Sequence, residues 1–166
     1  MIWESRPWKR KLDELAGSLL RQKKRYQWTE TWLAKIEFDI FLSGYVIRKL
    51  LEANKISDEM KSAAVRVKVH MSRPHSVDKM NWHKLDKLYD LSKREERNIS
   101  LRDFSNQLIH SFVFVPSILK NGRLRGFYVA SDKEKNRCVY YFDIDSVISL
   151  FRRVVDDGVV RAEMYR

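Results

Sequence analysis

The sequence predicts an α+β fold: two N-terminal helices, one of them long and buried, packed on a mostly antiparallel sheet that also carries a C-terminal helix. Three observations lead there. Apolar residues recur every three to four positions through the first 54 residues, the period drops to two at "AVRVKVHM", and Asn121-Gly122 separates two strand-like runs. With 166 residues, 44% of them hydrophobic and few Gly or Pro, the chain reads as one domain over 1–166. Its helical part is 1–55 and its sheet-containing part 64–166.

The first helix follows Pro7, a residue suited to a helix start, and sets Trp8, Leu12, Leu15 and Leu19 on one face. Its end carries Arg21, Lys23, Lys24 and Arg25, cations that complement the helix dipole. The second helix is expected over 29–54. Trp32, Ile36, Phe38, Ile40, Phe41, Tyr45, Ile47 and Leu50 leave it nearly apolar all round, which predicts a central position buried on every side. Glu37 and Arg48 stand three turns apart on it, and as opposite charges on a buried helix they need partners.

Val65, Val67, Val69 and Met71 then alternate with Arg66, Lys68, His70 and Ser72, so a strand at 64–72 turns its valines and Met71 inward and a cationic face outward. "RPHSVDKMNW" reads as a loop, and "HKLDKLYDLSKREER" as a short helix with a charged end. Ser100 and Asp103 have the spacing of a capping box, starting a helix that buries Leu101, Phe104, Leu108 and Ile109. From Phe112 the pattern is β: a hairpin turning at Asn121-Gly122, then a third strand "RCVYYF" after "KEKN". Asp143 or Asp145 caps a helix bearing Val147, Leu150, Phe151 and Val154, stopped by Gly158, and "VVRAEMY" is expected to close as a last strand.

Charge is the main functional signal. Thirty-three Lys and Arg against 22 Asp and Glu give +11, and residues 1–26 alone hold eight bases and three acids. Such a protein attracts polyanions: nucleic acid or an acidic protein surface. Aromatic residues interleave with the cations, Trp3, Trp8 and Tyr26 among Arg6, Lys9, Arg10, Lys11 and Lys23–Arg25. That combination suits single strands or structured RNA, whose phosphates take cations and whose bases stack. The expected contacts are Lys9, Arg10, Lys11, Arg21, Lys23, Lys24, Arg25, Arg66, Lys68, Arg123 and Arg125.

Catalytic chemistry has a thinner basis. Asp103, Asn106, Gln107 and His110 share a polar helix face beside Arg102, which would give an imidazole a carboxylate to orient it. His110 at a helix C-terminus is equally explained as dipole and carbonyl stabilisation. His70, His75, Asp78 and His83 fall close in sequence, but their spacing fits no zinc motif, so no metal is expected. No phosphate-cradling, dinucleotide-binding, nucleophile-elbow or H-E-x-x-H motif is present, and no cofactor is expected. A lone cysteine, Cys138, inside an apolar run and an N-terminus without an apolar signal region point to the cytosol. The leading expectation is therefore a non-enzymatic nucleic-acid-binding protein. An inhibitor or immunity-type protein for an acidic partner comes second, and an RNA hydrolase built on His110, Asp103 and Asn106 third.

Overall fold

The computed structural model describes residues 2–26 and 29–158. The expected closing strand at 159–165 lies outside the described residues. The elements run α1 (Arg6–Lys23), α2 (Glu30–Glu52), α3 (Asp58–Ser62), β1 (Ala64–Met71), α4 (Leu85–Leu88), β2 (Glu95–Ser100), α5 (Leu101–Ile109), β3 (Ser111–Ile118), β4 (Leu124–Ser131), β5 (Cys138–Asp143) and α6 (Ile144–Asp156). The strands form one antiparallel sheet in the order β2-β1-β5-β4-β3.

The helices begin where polar side chains satisfy their first N–H groups. Thr29 accepts from the Trp32 amide and so starts α2. The Ser100 hydroxyl accepts from the Asp103 amide at 3.0 Å and donates to the Asp103 carboxylate at 2.7 Å. Of the two candidates ahead of α6, Asp143 is the cap, accepting from the amides of Asp145 and Ser146. α1, α2, α5 and α6 cover one face of the sheet, where Val65, Val67, Val69, Phe127, Val129 and Phe142 meet Leu12, Ile40, Ile47, Phe104 and Phe151. Phe104 packs edge-on against Phe142, centroids 5.0 Å apart, a geometry that adds to the area term. On the far face a smaller cluster seats Val77, Leu85, Leu88 and Tyr89 over Val113, Ala130 and Val139.

Four expectations are corrected. α2 is central but not covered on every side: α1 and α5 pack against it, while Phe38 stays 63% exposed and Tyr45 46%. At the end of β1 burial no longer follows the alternation: Met71 is exposed and His70, on the far face, is buried. The segment after β1 folds over the far face and takes the His70 ring with it, so that Nδ1 meets the Lys93 carbonyl at 2.8 Å. The charged stretch "EERNIS" is no helix end but β2, an edge strand paired along β1 from Ala64↔Ser100 to Val69↔Glu95. Its exposed side chains carry no apolar alternation, and those charges blunt an open sheet edge. In α5 the buried stripe is Leu101, Phe104, Ser105 and Leu108 with Gln107, while Ile109 is exposed. Gln107 leaves the expected polar face because its Oε1 accepts from the Ser131 amide at 2.9 Å, at the rim of β4.

Candidate functional site

One end of the sheet gathers four chain segments. Because β1 and β5 are antiparallel, the start of β1 lies beside the end of β5 and the start of α6, and Gly126 of β4 is paired with Asp143 there. The β3–β4 hairpin tip reaches the same end and touches the end of α1. Gly122, at φ +79°, lies so close that a Cβ on it would sit 2.4 Å from the Tyr26 carbonyl oxygen. The neighbouring Arg123 stacks its guanidinium 4.9 Å from the Tyr26 ring centroid and donates to the Tyr26 hydroxyl. Lys23 pairs with Asp145 at the start of α6. The chain at the cationic end of α1 is thereby fastened to both the hairpin and the start of α6.

The expected cations divide by position. Arg21, Lys24, Arg25, Arg123 and Arg125 are exposed, and none of them forms an ion pair among the described residues. Lys9, Arg10 and Lys11 stand a dozen residues back along α1, about 20 Å at 1.5 Å per residue. There Lys9 donates to the Asp157 carbonyl and Lys11 pairs with Glu14 at 3.2 Å. These two are held at the far end of α1, and they do not join the cluster.

Arg66 and Lys68 lie on the far face of the sheet next to the cluster. Arg66 is within 3.6 Å of Glu96 on β2, and Lys68 stands 5.7 Å over the ring of Tyr141. Tyr141 packs against Tyr128, centroids 4.9 Å apart, and Arg125 acts electrostatically on both phenols. Burial raises both phenol pKa values above the ordinary range, so these rings stay neutral and serve as faces for cations. β1 pairs with β5 only from Lys68 to Met71. Its first residues face a groove of about 680 Å³ bounded by Arg66, Lys68, Tyr141, Asp143, Ser146 and Arg153. Alternate residues of an antiparallel strand turn both backbone groups to the same side, so part of the unmatched β1 edge points into this groove. The acids beside it are engaged: Glu96 with Arg66, Asp143 with the α6 amides and Asp145 with Lys23.

His110 sits at the opposite end of the sheet. It caps α5 with its backbone, its amide donating to the Asn106 carbonyl at 3.0 Å, and its carbonyl accepts from Asp132 at 2.9 Å. The eight residues of β3 put roughly 26 Å between it and the hairpin tip, at about 3.3 Å each. The residues grouped with it face elsewhere. Asp103 is bonded to Ser100, and the Asn106 side-chain oxygen accepts from Arg48. Among the described residues no hydrogen bond joins the His110 imidazole to either one. Arg48 also holds Glu52 at 2.7 Å, so Glu37 and Arg48 find no contact with each other. His75 and His83 are exposed, Asp78 accepts from the amides of Met80 and Asn81, and among the described residues no three His, Cys, Asp or Glu converge on a metal-sized site.

Lys120 was legible as a hairpin-tip cation beside Arg123 and Arg125, whereas Arg153 and the roles of Tyr128 and Tyr141 were not foreseen. Period two through "CVYYF" already sets Tyr141 on the face opposite Tyr140, which is the signal that finds it. No protein-family model, no curated protein and no solved structure matches the chain. Among the described residues no helix is long and apolar enough to cross a membrane.

Proposed function

We propose that this protein is a non-catalytic binding protein for a polyanionic chain, single-stranded or structured RNA first, held across the end of α1 and the β3–β4 hairpin tip. The observation that carries the reading is the Tyr26–Arg123 stack. It joins two cationic segments nearly a hundred residues apart into one surface bearing Lys24, Arg25, Arg123 and Arg125. Phosphates take the cations there, and Tyr26, 60% exposed under its guanidinium, offers a face for a base. Arg66 and Lys68 extend the track onto the sheet. Lys9, Arg10 and Lys11 lie off it.

The test is a salt titration of binding to single-stranded RNA and to heparin. Replacing Lys24, Arg25 and Arg125 by Ala removes three contacts, and each phosphate contact on a single strand accounts for a slope of about 0.7 in log K against log salt. The slope should fall by about two, while alanines at Lys9, Arg10 and Lys11 leave it unchanged. RNA should bind well above heparin at physiological salt. Equal and weak binding of both polyanions, or equal effects of the two triple variants, overturns the reading and leaves an acidic protein as the partner to seek.

A further inference from the structure

α2 is the exception to the charge of this molecule. Its 23 residues hold four acids, Glu30, Glu37, Asp39 and Glu52, against three bases, Lys35, Arg48 and Lys49, a net of −1 in a chain of +11. The same helix presents Phe38 and Tyr45, 63% and 46% exposed, with Phe41 and Leu42 half-buried between them. Trp8 of α1 lies 6.2 Å from Tyr45 and lengthens the strip. Ala34, Glu37, Phe38, Phe41 and Leu42 line a shallow groove of about 470 Å³. Large apolar side chains grouped on a surface and rimmed by polar residues mark an interaction site. A polyanion is a poor fit to this face, because the acids Glu37 and Glu52 lie on it.

We propose that this face docks a second copy of the same chain, with the two α2 helices antiparallel about a twofold axis that passes beside Ser43. Eight positions of the exposed stripe fall in pairs about that residue, with Leu42 unmatched, since Gly44 is buried. Ala34, Glu37, Phe38 and Phe41 stand nine, six, five and two residues before it, and Glu52, Lys49, Arg48 and Tyr45 stand the same distances after it. A self-complementary patch of this kind is what a closed twofold interface requires. In the antiparallel pair Phe41 meets Tyr45 of the second copy, and Phe38 lies on the aliphatic stems beside its Arg48 and Lys49. Glu37, which forms no ion pair within one chain among the described residues, faces that same Arg48–Lys49 pair. The opposed helix dipoles agree with this direction. The contact uses none of the residues assigned to the RNA surface, so it does not depend on that reading.

Sedimentation equilibrium from micromolar to hundreds of micromolar protein tests it. The wild-type chain should dimerise reversibly. Phe38→Ser, Glu37→Lys and Lys49→Glu should each weaken the dimer by about tenfold or more, the loss of one buried contact or the gain of a repulsive pair. Phe38 and Glu37 are exposed, so these variants keep the fold, which circular dichroism confirms. Glu37→Lys and Lys49→Glu chains mixed together should then form a heterodimer about as tight as the wild type, because both twofold-related contacts become attractive. A wild-type monomer throughout the range overturns the proposal. So does a dimer indifferent to Phe38→Ser and Glu37→Lys, or a mixture of the two charge variants that stays apart.

Discussion

Gly44 and Gly17 are both helical glycines, and the structure assigns opposite signs to the same substitution at the two. Alanine is favoured over glycine in a helix interior by about 1 kcal/mol, so on propensity alone both changes stabilise. At Gly17 on α1 a Cβ meets nothing nearer than the Arg21 guanidinium at 3.4 Å, the far end of a flexible side chain. Gly17→Ala should therefore gain about 0.5–1 kcal/mol. At Gly44 the same atom would fall 2.7 Å from Leu108 Cβ and 3.1 Å from its Cδ1. Carbon atoms in contact rest at about 3.5–4.0 Å, so α2 and α5 must separate by nearly 1 Å. Leu108 cannot rotate its Cβ away. Overpacking of this kind costs about 1–3 kcal/mol, which offsets or exceeds the propensity gain and leaves Gly44→Ala destabilised by up to about 2 kcal/mol. For a domain of this size that is a loss of up to roughly 8 °C in Tm, against a small rise for Gly17→Ala. Urea unfolding followed by tryptophan fluorescence, with thermal melts beside it, reads both. If Gly44→Ala stabilises the protein as Gly17→Ala does, the close approach of α2 and α5 is refuted.

Two further substitutions probe the site end and the buried polar centre. Gly122→Ala places a side chain at positive φ and against the Tyr26 carbonyl, so it should cost about 1–2 kcal/mol in urea unfolding; an unchanged midpoint would mean the hairpin tip does not rest on the end of α1. Ser18→Ala removes the 2.6 Å bond from its hydroxyl to the buried Asp39 carboxylate, leaving Lys35 at 3.2 Å as the remaining charged partner. A hydrogen bond to a charged group is worth about 1.5–3 kcal/mol, and a loss under about 0.5 kcal/mol in the same assay would show that water replaces it.

Elements with a strong local signal were legible before any coordinates. The first two helices, the strand at Val65–Val69 and the hairpin at Asn121-Gly122 each rest on a periodicity or a turn chemistry that neighbours need not supply. β2 was not legible, because nothing in "EERNIS" encodes a strand: its pairing partner, β1, supplies the reason for its conformation. His70 and Gln107 were misplaced for a related cause. Each is polar on a face that the pattern leaves to solvent, and each is buried by a long-range bond, to the Lys93 carbonyl in one case and the Ser131 amide in the other. Alternation predicts which face a side chain takes. It says nothing about which distant segment then covers that face.

The same limit governs the charges. Composition alone yields +11 and a list of candidate cations, and treats Lys9–Lys11 and Arg21–Arg25 as equals because both are basic and both lie on one helix. Their difference is tertiary. α6 runs antiparallel to α1, so its start meets Lys23 through Asp145 while its end meets Lys9 through the Asp157 carbonyl. Only at the first of these ends does the hairpin arrive, bringing Arg123 and Arg125 beside Lys24 and Arg25. The net −1 of α2 was equally open to counting, yet its meaning depended on knowing which side of the helix α1 and α5 leave uncovered. A net charge describes attraction at a distance; the partner is decided by where the unpaired charges and the bare aromatic rings coincide. Among the described residues they coincide, with opposite electrostatic character, at the hairpin end and along α2.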